Sequence, residues 1–357
     1  MSLIQKNCPN PETGADEPER DEVLPPSPAA QAQLSLFQTF YAPEATRERQ
    51  SNVIEIWDAA PKYVTPRRDA DLTGKPPTVL EKTFDFRGTL FRVRVAPVVF
   101  KTARGQDAIR LPTAREELIE DVLRHIAIQQ HRGFVGTKKG DAIFGVRFSL
   151  DMLRRELARH GHGIKHADLV DSLMILSGCI VDIAYAHQRT ALHRAAILSN
   201  LVGRTRDDYL NDRHTLWEAH FHPMVASSLS AIAYRQYDYE TTLGYRASLA
   251  RWLHKHLALV YLNAGMTQPC RIRLSTIRAN SGLVNSQTIR RQAQDVEDAL
   301  KELKASACPV LQEFKRHPVY GQRRLLDVEY ELRPTAEFVK QVVAANRRQK
   351  DGKLTSK

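Results

Sequence analysis

One run of elements occurs twice in this chain and leaves few folds open. Thr113 and Glu116 form a capping box, and Leu118, Val122, Ile126 and Ile128 set a helical stripe that stops at Gly133. Phe144 to Phe148 reads as a strand. Ser149 caps a helix with Leu150, Leu153 and Leu157 inward, Gly161 turns the chain, and a second helix over about 165–177 buries Leu169, Leu173 and Leu176. Strands over 179–186 and 192–202 close this copy as a ribbon. The C-terminal half repeats the order: a helix over 246–262, a strand over 271–274, a helix capped by Ser275 and ended at Gly282, a helix opened by Ser286 with Val296, Leu300 and Leu303 inward, then strands over 309–314 and 324–332 joined through Pro318 to Gly321. Arg124 to Ile128 lies 131 positions before Lys255 to Leu259, and Leu173 and Leu176 lie 127 before Leu300 and Leu303. Similar elements with so small a drift imply duplication. Helix, strand, helix, turn, helix and β-ribbon is the winged-helix order. The expected fold is α+β, with tandem winged-helix (helix-turn-helix plus β-wing) domains over 81–215 and 216–340. A disordered Pro-rich N-terminal arm over 1–80 and a basic flexible tail over 341–357 flank them.

A helix-turn-helix presents the first residues of its second helix to base edges, while the first helix and the wing touch the backbone. In the second copy those residues are Gln287, Thr288, Arg290, Arg291 and Gln294. Gln pairs with adenine, Arg with guanine, and Thr with base or phosphate. In the first copy Lys165 and His166 stand at the corresponding start, followed by Asp168 and Asp171, so backbone contacts are expected from Arg154, Arg155 and Arg159. Wing candidates are Arg189, Arg194, Arg204 and Arg206 in the first copy, and Arg316, Arg323 and Arg324 in the second.

Charge points the same way. Lys and Arg total 52 against 41 Asp and Glu. The first thirty residues hold two basic and six acidic side chains, so the remainder carries +15. An excess of this size on a folded body favours a polyanion, nucleic acid first, because each neutralised phosphate releases condensed counterions. No apolar run approaches the roughly 18 to 20 residues that span a bilayer, and residues 1–10 lack the pattern of a signal peptide; a cytoplasmic protein without a membrane partner is expected. Cys8, Cys179, Cys270 and Cys308 are too dispersed for a zinc knuckle, and Cys179 reads as a buried thiol at a helix-to-strand junction. No cofactor is expected.

Eleven prolines in residues 1–80 argue against regular structure there. Within this arm Gln33-Leu34-Ser35-Leu36-Phe37 is a compact apolar patch suited to an external groove. It resembles the Q-L-x-L-F peptide by which bacterial polymerases and replication factors hold the sliding clamp. That resemblance gives Gln33 a polar subsite and makes Leu34, Leu36 and Phe37 the anchors. Residues 52–64 restore apolar alternation that suits docking on the body, and residues 83–100 read as a hairpin turning at Arg87-Gly88.

Rival chemistries are thin. Gly133 to Lys138 lacks the spacing and the Gly-Lys-Ser/Thr ending of a P-loop, which leaves a turn. His220-Phe221-His222 has the His-hydrophobic-His form that holds a divalent ion in nicking enzymes, with Tyr234, Tyr237, Tyr239 or Tyr245 as conceivable nucleophiles, but Pro223 follows at once and no carboxylate is placed beside it. His160-Gly161-His162 reads as a solvated turn and Asp69-Ala70-Asp71 as a loop. A transcriptional repressor is the other reading, since winged helices serve both trades.

Taken together, Asn52 to Asp58, Ala114 to Leu118, Phe148 to Leu157, Ile175 to Cys179, Tyr234 to Tyr239 and Leu249 to Leu253 resemble the TrfA/RepA class of broad-host-range plasmid replication initiators over nearly the whole length. The resemblance implies a non-enzymatic initiator that binds repeated double-stranded origin DNA and helps open an A·T-rich segment, with possible contact to single-stranded origin DNA. It further implies recruitment of the host sliding clamp and of the replicative helicase with its loader, and a homodimer in exchange with origin-binding monomers.

Overall fold

The computed structural model describes residues 49–64, 78–129, 134–138, 141–188, 193–203, 216–231, 233–265, 267–322 and 324–355, with backbone course alone at 134–138, 141–143, 230 and 352–355. The clamp-like peptide, Asp69, Asp71, Arg189, Arg204, Arg206 and Arg323 lie outside them.

The C-terminal unit follows the expected order. α7 (Ser248–Val260) leads into β13 (Cys270–Arg273), α8 (Leu274–Ser281), α9 (Ile289–Ala305) and the hairpin β14 (Leu311–Gly321) with β15 (Arg324–Pro334). The sheet order is β13-β15-β14, all antiparallel, so the first strand joins the second strand of the wing. Val296, Leu300 and Leu303 are fully buried, as their spacing requires. Gly282 ends α8 in the left-handed region at φ 65. Three local expectations are corrected. Ser275 is not the cap of α8: its N–H and hydroxyl both donate to Asp327 on β15, which secures the helix start from the wing. Ser286 donates to Asp295, while Thr288 caps α9 by accepting from the Arg291 N–H. Pro318 to Gly321 belong to β14, which pairs through Gly321 with Arg324, so the hairpin closes beyond Gly321. Proline is tolerated because β14 is an edge strand, where its missing donor faces outward.

The first unit has the same plan with an insertion. α2 (Ala114–Gln129), β7 (Asp141–Phe148), α3 (Leu150–Arg159) and α4 (His166–Gly178) match their counterparts, and the capping box and the Ser149 cap both form. The ribbon after α4 is not the wing. β8 (Ile180–Tyr185) pairs with β3 (Thr89–Ala96), giving the sheet β2-β3-β8-β9, in which β2 is Leu80–Phe86 and β9 is His193–Ala196. β8 presents apolar residues to both sides, so it needs a central place in a covered sheet, which a solvent-facing wing cannot offer. The wing is β10 (Leu198–Val202) with β11 (Trp217–Phe221), and the order β10-β11-β7 repeats that of the second unit, with β6 (Phe134–Lys138) added beyond β7. Phe134–Lys138 is therefore an edge strand, not a turn, and Gly133 lies outside the described residues. The β2–β3 hairpin turns at Arg87 and Gly88, both at positive φ, as expected. A further hairpin, β4 (Val98–Lys101) with β5 (Asp107–Arg110), precedes α2.

The expected boundaries shift in three places. Residues 50–64 are part of the body: β1 (Gln50–Ile54) pairs with β12 (Tyr234–Asp238), and Trp57 on α1 (Glu55–Ala59) is fully buried. The expected break at 215/216 would sever β11, α5 (Pro223–Ser230), β12 and α6 (Tyr239–Gly244) from the first core, which they help build. The second core begins at Tyr245. The basic tail is a helix, α10 (Ala336–Thr355), seated by Phe338 and Val342 and reaching back to β12 and β1. Arg235 donates to Asn346 and Gln349, and Arg348 donates to Gln236 and Gln50.

The equivalent first helices of the two units meet through charge. Lys255 on α7 lies 2.7 Å from Glu117 and 2.8 Å from Asp121 on α2, and all three are buried. Burial opposes the Lys255 charge, but Asp121 and Glu117 outweigh it and hold the group well above the ordinary lysine pKa. Arg124 bridges Asp121 at 2.7 Å and Asp58 at 2.8 Å. Burial likewise opposes the Asp58 charge, and Arg124 and Lys62 overcome it, taking its pKa down to about 2. At the other edge, the Asp85 N–H donates to Asn280 Oδ1 and Asn280 Nδ2 donates back to the Asp85 carbonyl, which fixes the β2–β3 hairpin to α8.

Candidate nucleic-acid interface

α9 is amphipathic because Ala293, Val296, Ala299, Leu300 and Leu303 recur at helical spacing and are buried. That phase sends Arg290, Arg291 and Gln294 to the opposite face, where all three are exposed, and Gln287 and the cap Thr288 are exposed just before the helix begins. Gln292 holds this face in place: it is buried, donates to the Ser286 carbonyl at 2.6 Å and lies 3.5 Å from Arg278 Nη1. From beneath, the buried Tyr330 hydroxyl donates to the Ala293 carbonyl. The helix start, with its outward N–H groups and positive dipole end, is therefore rigidly set and lined by Arg and Gln.

The rest of the helix has the opposite sign. Asp295, Glu297, Asp298 and Glu302 follow, with Gln294 donating to Asp298 and Lys301 paired to it at 2.7 Å. A polyanion is attracted to the first two turns and repelled by the later ones, so only an end-on approach is favourable.

The wing is tied to this helix. Arg316 on β14 pairs with Glu297 at 3.3 Å, so part of its charge is spent on positioning. Arg324 is exposed at the turn. Three arginines missed in the sequence stand nearby: Arg278 on α8, and Arg271 and Arg273 on β13, whose strict alternation with buried Ile272 is the signal that would have found them. Arg271 and Arg273 face Glu331 and Glu329 at 3.1 and 3.6 Å, which leaves Arg278 as the stronger addition.

The first unit presents much less. Lys165, the cap residue of α4, and His166 are exposed. Asp171 is half-buried and engaged, accepting from the Ala103 N–H in the β4–β5 turn at 2.6 Å. That hairpin lies against the later part of α4, where a Cβ on Gly178 would collide with Val98. Arg154 is exposed, Arg155 is paired with Asp151 at 3.0 Å, and Arg159 is held by Glu240 and Glu156. Arg194 sits on β9, away from the wing, and pairs with Asp182.

The histidine and tyrosine candidates are interior. His222 is fully buried, stacks on Trp57 at 4.4 Å and accepts from the Met224 N–H, capping α5. Burial takes its pKa down to about 3. His220 instead lies 3.2 Å from Glu218. Tyr234, Tyr237, Tyr239 and Tyr245 are all buried, and the hydroxyls of Tyr237 and Tyr245 are enclosed. Among the described residues no group of three His, Cys, Asp or Glu is arranged to hold a metal ion. The 160–162 turn is packed rather than solvated: His162 donates to the Leu243 carbonyl, and His160 lies edge-on to Tyr239. Cys179 is buried at the α4–β8 junction, as its neighbours implied, and burial raises its pKa to about 12.

No protein-family model matches this sequence, and no curated protein matches it. Among solved structures, domains 2 and 3 of RctB align with a TM-score of 0.47 at 12% identity, over 80% of this chain and 99% of that one. Selenomethionine derivatives of the same domains give 0.46 at 12% over 78% and 96%. The Pi initiator protein, solved in complex with iteron DNA, gives 0.39 at 10% over 62% and 93%. At these values the winged-helix assignment rests on this chain's own strand order and helix placement.

Proposed function

We propose that this chain is a replication initiator that reads duplex origin repeats with α9, steadies them with the second wing, and uses the first unit for backbone contact. The observation that carries the reading is the exposed group Gln287, Arg290, Arg291 and Gln294 at a buttressed helix start, backed by acidic residues that exclude any other approach. Base-edge recognition needs that combination of rigidity and donors. The Gln33 to Phe37 peptide supplies the reason to prefer an initiator over a repressor, since a repressor has no use for a clamp anchor. Opening of A·T-rich DNA, contact with the opened strand, recruitment of helicase and loader, and exchange between homodimer and monomer belong to the same proposal.

A non-enzymatic role is favoured because the tyrosines and His222 that a nicking mechanism would use are core residues. The test is supercoiled DNA carrying the parent replicon's repeats, incubated with the full chain and Mg2+. Permanganate-reactive thymines in intact circles are the expected result, and a nicked product overturns it. For the arm, Leu36→Ala with Phe37→Ala is expected to abolish clamp binding while duplex binding persists; unchanged clamp binding retires that assignment.

A further inference from the structure

The second wing ends in apolar side chains that the protein itself does not bury. From Lys315 to Tyr320 every residue of β14 is exposed because it is the edge strand, while β15 stays in the core as far as Val328, the partner of Pro318; the end of the hairpin beyond that pair, which carries Val319, Tyr320 and Leu326, stands out by about 10 Å at roughly 3.3 Å per residue. At its end Tyr320 is 64% exposed, Leu326 56% and Val319 40%. The cluster is built into the backbone. The strand register shifts between Val319 and Tyr320 and leaves Leu326 as the extra residue of a bulge, and Leu326 folds over Gly321, where a Cβ would sit 2.5 Å from its side chain. Gln322 completes the turn at φ 47. Ordinary ribbon tips are polar, because exposed apolar groups there gain nothing in the free protein and invite self-association.

The surroundings say what covers this tip. Arg324 is exposed at the start of β15, Lys315, 3.8 Å from Glu313, and Arg316 line the stem, and Arg316 joins the stem to α9 through Glu297. An apolar point inside a cationic frame, continuous with a base-reading helix, suits a polyanion whose interior is apolar, which describes stacked bases between phosphates. A wing tip joined to a helix that lies in the major groove borders the flanking minor groove. We infer that the Tyr320–Leu326 tip acts as a wedge, entering the minor groove beside the site read by α9 and kinking the duplex at a base step. Wedges of this kind exchange lost stacking for a bent duplex that wraps more protein surface, and they kink DNA by roughly 20 to 90°.

The inference rests on the duplex-reading proposal, and the experiment separates the two. The full chain is used to select binding duplexes from a random pool. The enriched duplex is then measured for affinity at several salt concentrations and for bend angle by circular permutation. Tyr320→Ser with Leu326→Ser is expected to lose affinity tenfold or more and most of the bend, with an unchanged slope of log affinity on log salt. Tyr320→Phe with Leu326→Met is expected to stay within threefold of the parent. Arg324→Ala should lower the slope by about one and keep the bend. A serine variant that binds and bends like the parent overturns the wedge, as does a parent complex without a bend, or a loss explained by lost self-association in sedimentation. A pool in which no sequence is enriched overturns the duplex-reading proposal itself.

Discussion

Lys255 carries a charge into the joint between the units, where it pairs with Glu117 and with Asp121, the latter also held by Arg124 at 2.7 Å. Lys255→Met leaves Glu117 and Asp121 buried with one partner fewer, and should cost about 3 to 5 kcal/mol of stability, read by denaturant titration. At the surface, Arg290→Ala should cost roughly 1 to 3 kcal/mol at cognate sites and relax a single base preference; a uniform loss over all sequences would reassign it to phosphate. Histidines set the pH dependence. Burial lowers His125 and His256 to about 4 and His222 to about 3, from an ordinary 6.5, and lowers His254 as well. Each stays neutral when folded and takes its proton on unfolding. Their contribution is complete above pH 6.5 and is lost as pH falls toward 4, up to about 3 kcal/mol for a group moved from 6.5 to 4. The thermal midpoint should fall steeply over that window, and a flat profile would contradict it.

Among elements, α9 and α10 show how differently two helices can be read. The stripe of α9 follows from period alone, so its inward and outward residues are legible in the sequence. Its cap is not, because Ser286 and Thr288 both qualify and only the bond from the Arg291 N–H selects Thr288. Thr288→Ala should cost about 1 kcal/mol and weaken duplex binding by loosening the helix start. In α10, Arg and Lys at its end suggest a solvated tail, yet Phe338 and Val342 are buried against the second core and Arg235 and Arg348 tie the helix to the first unit. Phe338→Ala should cost about 3 to 5 kcal/mol in a thermal or denaturant scan. β8 was illegible for another reason. Strand pairing is non-local, and nothing between residues 179 and 202 states that the partner lies at Thr89–Ala96.

Across the whole molecule, the units share more than a linker. Ala258, Leu259 and Val260 on α7 pack into the first core while Leu249, Ala250, Trp252, Leu253 and Leu257 build the second, and the ion network crosses the same joint. Unfolding in urea should therefore follow one cooperative transition by both fluorescence and circular dichroism; two separated transitions would show independent units. The sequence by itself determined the duplicated winged-helix order, the inward faces of the helices, the first hairpin and the exposed Arg and Gln face of α9. These depend on periodicity, capping and turn chemistry, which are local. Only the tertiary structure decided which strands form the first wing, which strand residues 50–54 pair with, that residues 336–355 belong to the body, that the β4–β5 hairpin lies against the later part of α4, and that the charges of α2 and α7 neutralise one another. Those outcomes depend on which distant surfaces meet, and a linear pattern carries the need for a partner without naming it.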